Sequence, residues 1–244
     1  MKDILQDIVS HTHTLGLGLL KVTTDEDETN INSIADDRSI ILYAKTKDRV
    51  EEFDGVFGMT NLDKLNLHLK NPEYQENAKI EVVTDTRNDE TFPSHIHFEN
   101  SAGDFENDYR FMNKTIIETK LRTVKFKGAN WGIEFEPTAA AISRLKLMSQ
   151  AHSEEPHVNI SKTKEGLVFS FGDAASHAGQ FVFESHGVDG QTLKNTWTYP
   201  VSQIQSILNL DGKIEMFLSD DGAMKISVNS GLTVYDYILP AQAK

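Results

Sequence analysis

The chain has 244 residues, enough for one large domain or two of ordinary size, and 39% of them are hydrophobic, as is typical of a globular protein. It contains no cysteine, which excludes disulfides, thiolate zinc sites and cysteine nucleophiles. Its formal net charge of −13 argues against broad nucleic-acid binding, because phosphate contacts depend on Lys and Arg. Any contact with DNA must therefore be local.

The N-terminal segment "MKDILQDIVSHTHTLG" predicts no export signal, because acidic residues interrupt its apolar part and no small-residue cleavage site follows. No apolar run elsewhere approaches the roughly 20 residues of a membrane span. We therefore expect a soluble protein of the cytoplasm, or of the host cytoplasm if the source is viral, with no membrane partner.

The first half opens with helical periodicity over residues 2–14, which places Ile4, Leu5, Ile8 and Val9 on one face. Alternating runs follow, "GLLKVTT" from residue 18 and "SIILYAKT" from residue 39, and they predict strands. A second helix is predicted within "FGMTNLDKLNLHL", residues 57–69, before a strand "KIEVVTD". This half therefore combines two helices with several strands.

The second half begins with a helical segment, "PTAAAISRLKLMSQAHS", that contains no Asp or Glu. Its residues Ala141, Ile142, Leu145 and Met148 share one face. The runs "HVNISKT", "GLVFSFGD" and "GQFVFES" then predict strands, and turn signals at 189–190, 211–212 and 221–222 (each Asp-Gly) indicate antiparallel sheets.

An internal repeat relates the two halves. The segment "FGMTNLDKLNLHL" corresponds to "YPVSQIQSILNL", so that Leu62 and Leu65 fall where Ile204 and Ile207 fall. A strand follows each helix with nearly the same letters, "KIEVVTD" and "KIEMFLSD". Neither half has the alternating βαβ rhythm of a parallel sheet. We predict an α+β fold of two similar domains, 1–112 and 125–244, each with two helices packed on antiparallel sheets, joined by a connector, 113–124.

This order of elements resembles the DNA sliding clamps, the processivity factors of replicative polymerases, and most nearly the clamps of large tailed phages. The strongest match runs from Trp131 to Pro240 and includes "WGIEFEPTAAAISRLKLMSQA", "WTYPVSQIQSIL" and "GKIEMFLSDDGAMKISVNSGLTVYDYILP". The first half is similar in topology and through the repeat. No single motif is diagnostic, and the order of elements along the chain carries the resemblance.

The resemblance implies an assembly and a function. Two-domain chains of this family close as homotrimeric rings whose helices line a central hole for duplex DNA, held without sequence preference. Such a ring tethers the replicative DNA polymerase, is opened by a clamp-loader ATPase, and is not an enzyme and needs no cofactor. An alternative is a β-rich interaction or phage structural protein without DNA function.

In such a ring the helices face phosphate groups, which explains a helix without acidic residues in an acidic chain. The helix predicted at 201–209 is also free of acids, whereas Asp3, Asp7 and Asp63 make the pattern weaker in the first half. The predicted DNA-binding residues are Lys2, Lys64, Lys70, Arg144 and Lys146. An acid-poor helix also arises by chance or by facing another subunit, and the basic residues of 114–127 are typical of a solvated linker.

Sliding clamps bind a short apolar peptide of their clients beneath the connector, beside the C-terminal tail. The matching positions are Ile238, Leu239 and Pro240 in the tail, with Ile116, Ile117 and Leu121 in the connector. An apolar pocket with a few polar anchors suits such a peptide. The alternative is that Ile238 and Leu239 simply complete a strand.

Metal and catalytic chemistry are not expected. The best metal-binding set is His95, His97 and Glu99, which share one face of a strand, yet such surfaces are common without metal. The sequence has no nucleophile elbow, no phosphate-binding Gly-rich loop after a strand and no His-Glu-x-x-His helix. A metal-dependent hydrolase is the remaining enzymatic alternative.

Overall fold

The computed structural model describes residues 1–87, 89–121, 126–173, 175 and 177–242. The chain divides into two compact units, one of Met1–Lys125 with Ser230–Tyr235 and one of Phe126–Asn229 with Asp236–Lys244. No helix within the described ranges is long and apolar enough to cross a membrane.

The first unit contains three α-helices in its described part: α1 (Lys2–Ser10), α2 (Leu62–Lys70) and α3 (Lys114–Lys120). Its strands are β1 (Leu19–Thr24), β2 (Thr29–Ile34), β3 (Ile41–Thr46), β4 (Gly55–Thr60), β5 (Lys79–Arg87), β6 (Glu90–Glu99) and β7 (Glu106–Arg110). Strands β4, β1, β2 and β3 lie side by side in that order, and β5, β6 and β7 form a separate sheet. Neighbouring strands are antiparallel in both.

Apolar periodicity explains how these elements pack. Burial alternates along β1, where Leu20 and Val22 are fully buried, so one face of the sheet carries the core. Helices α1 and α2 pack against each other and bury Leu5, Ile8 and Leu65. The predicted helical faces of the first half are therefore correct.

Helix α1 ends at Ser10, earlier than the periodicity predicts, and a short 3-10 helix (His13–Leu15) follows. Local side chains take over the last carbonyls: Thr12 Oγ1 donates to Ile8 O at 2.6 Å, and the rings of His11 and His13 bond to the carbonyls of Asp7 and Val9. Such side-chain bonds compete with the helical pattern and end it.

The second unit contains helices α4 (Ala139–Ala151) and α5 (Val201–Leu208) in its described part. Its strands are β8 (Trp131–Phe135), β9 (His157–Thr163), β10 (Gly166–Phe171), β11 (Gly179–Glu184), β12 (Trp197–Pro200), β13 (Lys213–Ser219), β14 (Ala223–Asn229) and β15 (Thr233–Pro240), whose first three residues belong to the first unit. One sheet has the order β15-β14-β13-β8 and the other the order β11-β10-β9-β12.

Of the three predicted Asp-Gly turns, one joins a hairpin. Asp221 and Gly222 connect β13 and β14, with Gly222 in the left-handed region at a φ of 77°. Asp211-Gly212 instead links α5 to β13, and Asp189-Gly190 lies in the loop before β12. Gly and Asp favour any tight turn, so the dipeptide does not identify which elements it joins.

The predicted connector contains helix α3, which the sequence reading did not anticipate, and its last residues, 122–124, lie outside the described part of the chain. Asn113 caps the helix by accepting a hydrogen bond from the Ile116 amide at 3.0 Å. Just before it, the Gly58 amide donates to Met112 O at 2.8 Å and the Met112 amide returns a bond of 2.7 Å. A Cβ at Gly58 would lie 2.8 Å from Ile117 Cδ1, so this glycine lets Ile117 pack closely on β4.

Two adjacent isoleucines of α3 provide a direct test of this packing. Ile117 is fully buried, whereas Ile116 is 45% exposed. We expect Ile117→Ala to lower the free energy of unfolding by about 2–4 kcal/mol, because it leaves a cavity over β4. Ile116→Ala is the matched control and should stay within about 0.5 kcal/mol of the parent. Urea titration measures both, and equal losses would show that α3 is not fastened through Ile117.

Candidate functional site

The exposed face of α4 and α5 carries positive and neutral side chains only. Neither helix contains an acidic residue. Arg144 and Lys146 are both exposed, and within the described ranges neither forms an ion pair with a carboxylate. In a chain of net charge −13, these two side chains therefore form an exposed basic pair on a helix without acids.

A hydrogen bond fixes α5 against α4. The Gln205 side-chain amide donates to Ser149 Oγ at 2.6 Å and lies 3.4 Å from Leu145 O. Beneath this bond Leu145, Ile204 and Ile207 are fully buried. The two helices therefore present their outer residues, among them the exposed Ser202 and Ser206, as one surface.

The corresponding face of α1 and α2 is close to electrically neutral. Lys64 and Lys70 are exposed, but so are Asp3 and Asp63. Lys2 does not add a mobile cation, since its Nζ donates to Tyr74 O at 3.0 Å and to Gln75 Oε1 at 2.9 Å. These hydrogen bonds hold the start of α1 against the short helix Pro72–Tyr74. They engage the same ammonium group that the sequence predicts to face DNA.

Asp7 lies on α1 but adds little negative charge to the exposed face of that helix, because its side chain points inward. Its Oδ2 accepts a hydrogen bond from the Tyr235 hydroxyl at 2.7 Å, and its side chain is only 9% exposed. The buried His11 ring stacks on Tyr235 at 4.5 Å between centroids. Asp7 therefore belongs to a buried polar network and not to the helix surface.

His68 lies on α2 near Lys64 and Lys70 but does not strengthen their charge. Its ring packs beside Phe98, 5.1 Å away between centroids, and its Nε2 is buried with no hydrogen-bond partner in the described structure. Burial lowers the pKa of His68, and the nearby Lys64 lowers it further. The imidazole is therefore neutral at physiological pH.

Two leucines stand among these polar surfaces. Leu67 on α2 is 71% exposed and Leu147 on α4 is 65% exposed. Each follows a cation by three residues, Lys64 or Arg144, and so lies beside it on the same face. The sequence reading missed Leu67, although its helical spacing from the buried Leu65 and Leu69 already placed it outward.

The predicted peptide-binding residues fall into two groups by burial. Ile117, Ile238 and Leu239 are core residues with almost no exposed surface, so they offer a peptide no open contact. Ile238 and Leu239 are buried because strand β15 continues to Pro240 and packs both side chains inside the second unit. The accessible residues are Ile116, Leu121 and Pro240, of which Leu121 is half-buried.

Leu121 lines an open cleft of about 850 Å³ in the first unit. The cleft lies at one end of the sheet, where β1 and β3 begin, β2 and β4 end, and α3 stops. Leu19, Ile34, Ile41 and Met112 also line it, and all are half-buried. This is the concave apolar surface that adjoins the connector helix.

The histidines of β6 are paired with carboxylates. His97 Nδ1 lies 2.9 Å from Asp108 Oδ1, while His97 Nε2 is 3.8 Å from Glu99 and His95 Nε2 is 3.6 Å from Asp108. The His97 hydrogen bond holds the pKa of Asp108 below its usual range. No three His or acidic residues in the described ranges are arranged to hold a metal ion.

Comparison with known proteins identifies the fold. No family model matches the sequence, and no curated protein matches it. The chain does match a chain from the structure of the C-terminal region of FEN-1 bound to A. fulgidus PCNA, with a TM-score of 0.68 and 11% identity over 100% of this chain and 96% of that one. PCNA from Thermococcus kodakaraensis matches with a TM-score of 0.68 and 10% identity over 99% of this chain and 97% of that one.

This protein therefore has the fold of PCNA-type sliding clamps along its whole length. The predicted fold class, α+β with two helices and antiparallel sheets in each half, is confirmed. At 10–11% identity the likeness extends to the fold alone, which explains why sequence comparison finds no relative.

The lowered pKa of His68 predicts how stability depends on pH. The folded protein holds His68 neutral, while the unfolded chain binds a proton below the ordinary pKa of 6.5, so stability should fall as pH drops below that value. We expect His68→Leu to lose less stability than the parent between pH 7.5 and pH 5.5. Urea midpoints at the two pH values measure this difference, and an equal loss in both proteins would contradict it.

Proposed function

We propose that this protein is a DNA sliding clamp: a homotrimeric ring that encircles duplex DNA and tethers the replicative DNA polymerase for processive synthesis. The observation that carries the proposal is the acid-free exposed face of α4 and α5 in a chain of net charge −13 that has the PCNA fold. Two neighbouring helices without a single acidic residue are unexpected in so acidic a chain. The function is topological, with no catalytic residue, cofactor or metal.

Open sheet edges support a head-to-tail ring. In the second unit β11 and β12 are the outer strands of their sheet, and the edge of β12 is partly covered, because the Gln242 amide donates to Thr198 O at 2.9 Å. Strand β11 is the remaining edge. In the first unit β5 and β7 bound the three-stranded sheet. Pairing β11 of one subunit with such an edge of the next would close a ring and remove exposed edges.

The helix surfaces suit loose contact with duplex DNA. Arg144, Lys146, Lys64 and Lys70 are long side chains in water, whose phosphate contacts are screened by salt and independent of sequence. The neutral Ser202 and Ser206 add polar contacts without fixing a register. A duplex held in this way would remain enclosed and still slide.

Clients would dock through a short peptide at the cleft beside α3. A. fulgidus PCNA is seen with the C-terminal region of FEN-1 bound, which shows that a protein of this fold accepts a client segment. In this chain the accessible apolar residues around Leu121 provide such a surface, and Ile116 is an exposed apolar residue of the adjoining helix.

A clamp-loader ATPase would open the ring. From the resemblance to phage clamps we also predict a viral source.

Light scattering tests the ring. We expect a mass three times the 27.4 kDa of the chain. Val182→Lys on β11 should reduce it to the monomer mass, because a lysine on an edge strand opposes pairing with another strand. Ile214→Lys is the matched control, since Ile214 is also half-buried but lies on β13, an inner strand between β14 and β8. A monomeric parent protein, or equal effects of the two lysines, would contradict the trimer.

Retention on nicked circular duplex during gel filtration tests the DNA surface. The parent ring should co-elute with the circle and be released when the circle is linearised. Arg144→Glu with Lys146→Glu should lower retention about tenfold at low salt, because each subunit then repels phosphate. Lys162→Glu with Lys164→Glu makes the same charge change near the β9–β10 turn and should have little effect. If the parent is retained and neither pair changes retention, these side chains do not contact DNA; if the parent itself is not retained, a structural protein without DNA function is favoured.

A further inference from the structure

The cleft beside α3 has an unusual electrostatic character for this protein. Its floor is apolar, formed by Leu19, Ile34, Ile41 and Met112 together with Leu121. Among the described residues its lining also includes two cations, Arg38 and Lys120, and one carboxylate, Asp36. The chain has 37 acidic residues against 24 Lys and Arg, so this local excess of positive charge opposes the general composition.

Neither cation is neutralised by the protein. Arg38 and Lys120 are exposed, and across the described ranges neither lies within salt-bridge distance of a carboxylate, including Asp36 in the same cleft. Asp37, beside Arg38 in the chain, is engaged elsewhere, since its Oδ1 accepts bonds from the Ser39 amide and hydroxyl at 2.9 and 2.6 Å. Both cations are therefore available to an anionic ligand.

Arg38 has an uncommon backbone conformation, in the turn between β2 and β3. Its φ of 59° lies in the left-handed region, which non-glycine residues rarely adopt and where Gly or Asn would be the ordinary choice. The turn is fixed by the Arg38 amide donating to Ala35 O at 2.8 Å and the Ala35 amide donating to Ile40 O at 2.9 Å. A hydrogen-bonded turn with one strained residue thus carries a cation at the edge of an apolar cleft.

Lys120 is placed by the same packing that fixes α3. It lies three residues after Ile117, whose side chain is fully buried on β4, and it occupies the last turn of the helix. A cation there also suits the negative end of the helix dipole. This interaction with the helix dipole does not depend on the cleft. Lys114, at the other end of the same helix, is not among the residues that line the cleft.

We propose that the cleft selects client peptides in which an Asp or Glu lies next to the apolar anchors, with the carboxylate bound by Arg38 and Lys120. The apolar side chains would fill the floor and supply most of the affinity, and the carboxylate would supply specificity. An apolar floor does not suit nucleic acid, whose backbone is charged throughout. This inference rests on the proposed peptide docking and adds the chemistry of the peptide.

A displayed library of random 16-residue peptides, selected on the intact parent protein, tests the proposal. We expect enrichment of peptides that combine large apolar residues with a neighbouring Asp or Glu. For a selected peptide, replacing that acid by Asn or Gln should weaken binding roughly fivefold at low salt, and the difference should shrink at 500 mM salt. The double variant Arg38→Asn and Lys120→Gln should lose this preference and keep the apolar one.

Controls separate this inference from the proposed function. Asn tolerates a left-handed backbone, so Arg38→Asn removes the charge without added strain. Lys114→Gln makes the same change as Lys120→Gln on the same helix and should leave the acidic preference intact. Trimer mass and retention on circular DNA, measured on each variant, should be unchanged if the protein is a clamp.

Three results would overturn the inference. Enrichment of apolar peptides without an acidic preference would leave peptide docking in place and remove the role of Arg38 and Lys120. Failure to enrich any peptide, in a protein that still encloses DNA, would remove the cleft as a docking site. Weaker binding of a duplex oligonucleotide by the double variant, but not by Lys114→Gln, would show that the two cations serve nucleic acid.

Discussion

Electrostatic repulsion between phosphate and an acidic chain is the constraint on which the proposed function depends. A protein of net charge −13 can approach DNA only where its own acids are absent or turned away. Helices α4 and α5 meet this condition by composition, since they contain no acid. Helices α1 and α2 meet it in part by packing, because Asp7 is turned inward to Tyr235 while Asp3 and Asp63 remain exposed. The second unit is therefore the more favourable surface for a duplex.

Two ionisable groups of the first unit, Asp7 and Lys2, have defined hydrogen-bond partners. Asp7 could be placed in the core only with partners for its carboxylate, and the Tyr235 hydroxyl and the His11 ring provide them. Lys2 donates hydrogen bonds to the carbonyl of Tyr74 and to the side chain of Gln75, and these bonds fix the start of α1. In the first unit, ionisable groups near the helices thus hold the helices in position, and the exposed charge that remains is small.

Packing of the connector helix positions the cleft that we propose as a docking site. Ile117 over Gly58 and the paired bonds between Gly58 and Met112 fasten α3 to β4, so its far end stops at the end of the sheet. The cleft lies there, lined by the half-buried apolar residues of the strand ends. If a peptide binds this cleft as proposed, the charged edge would discriminate between peptides by their own charge.

Sequence alone determined the repeat, the helical faces and the fold class, because apolar spacing dictates which side of each element is buried: Leu65 and Ile204 are in the core as their spacing predicts. It also placed Arg144 and Lys146 outside the apolar face of α4, and both are exposed. It could not separate Ile116 from Ile117, because no periodicity is visible in a seven-residue helix. Nor could it assign Lys2 to Tyr74, or bring Arg38 and Lys120 to one cleft, since these pairings join positions more than 70 residues apart. Such juxtapositions are decided only by how strands and helices pack in three dimensions.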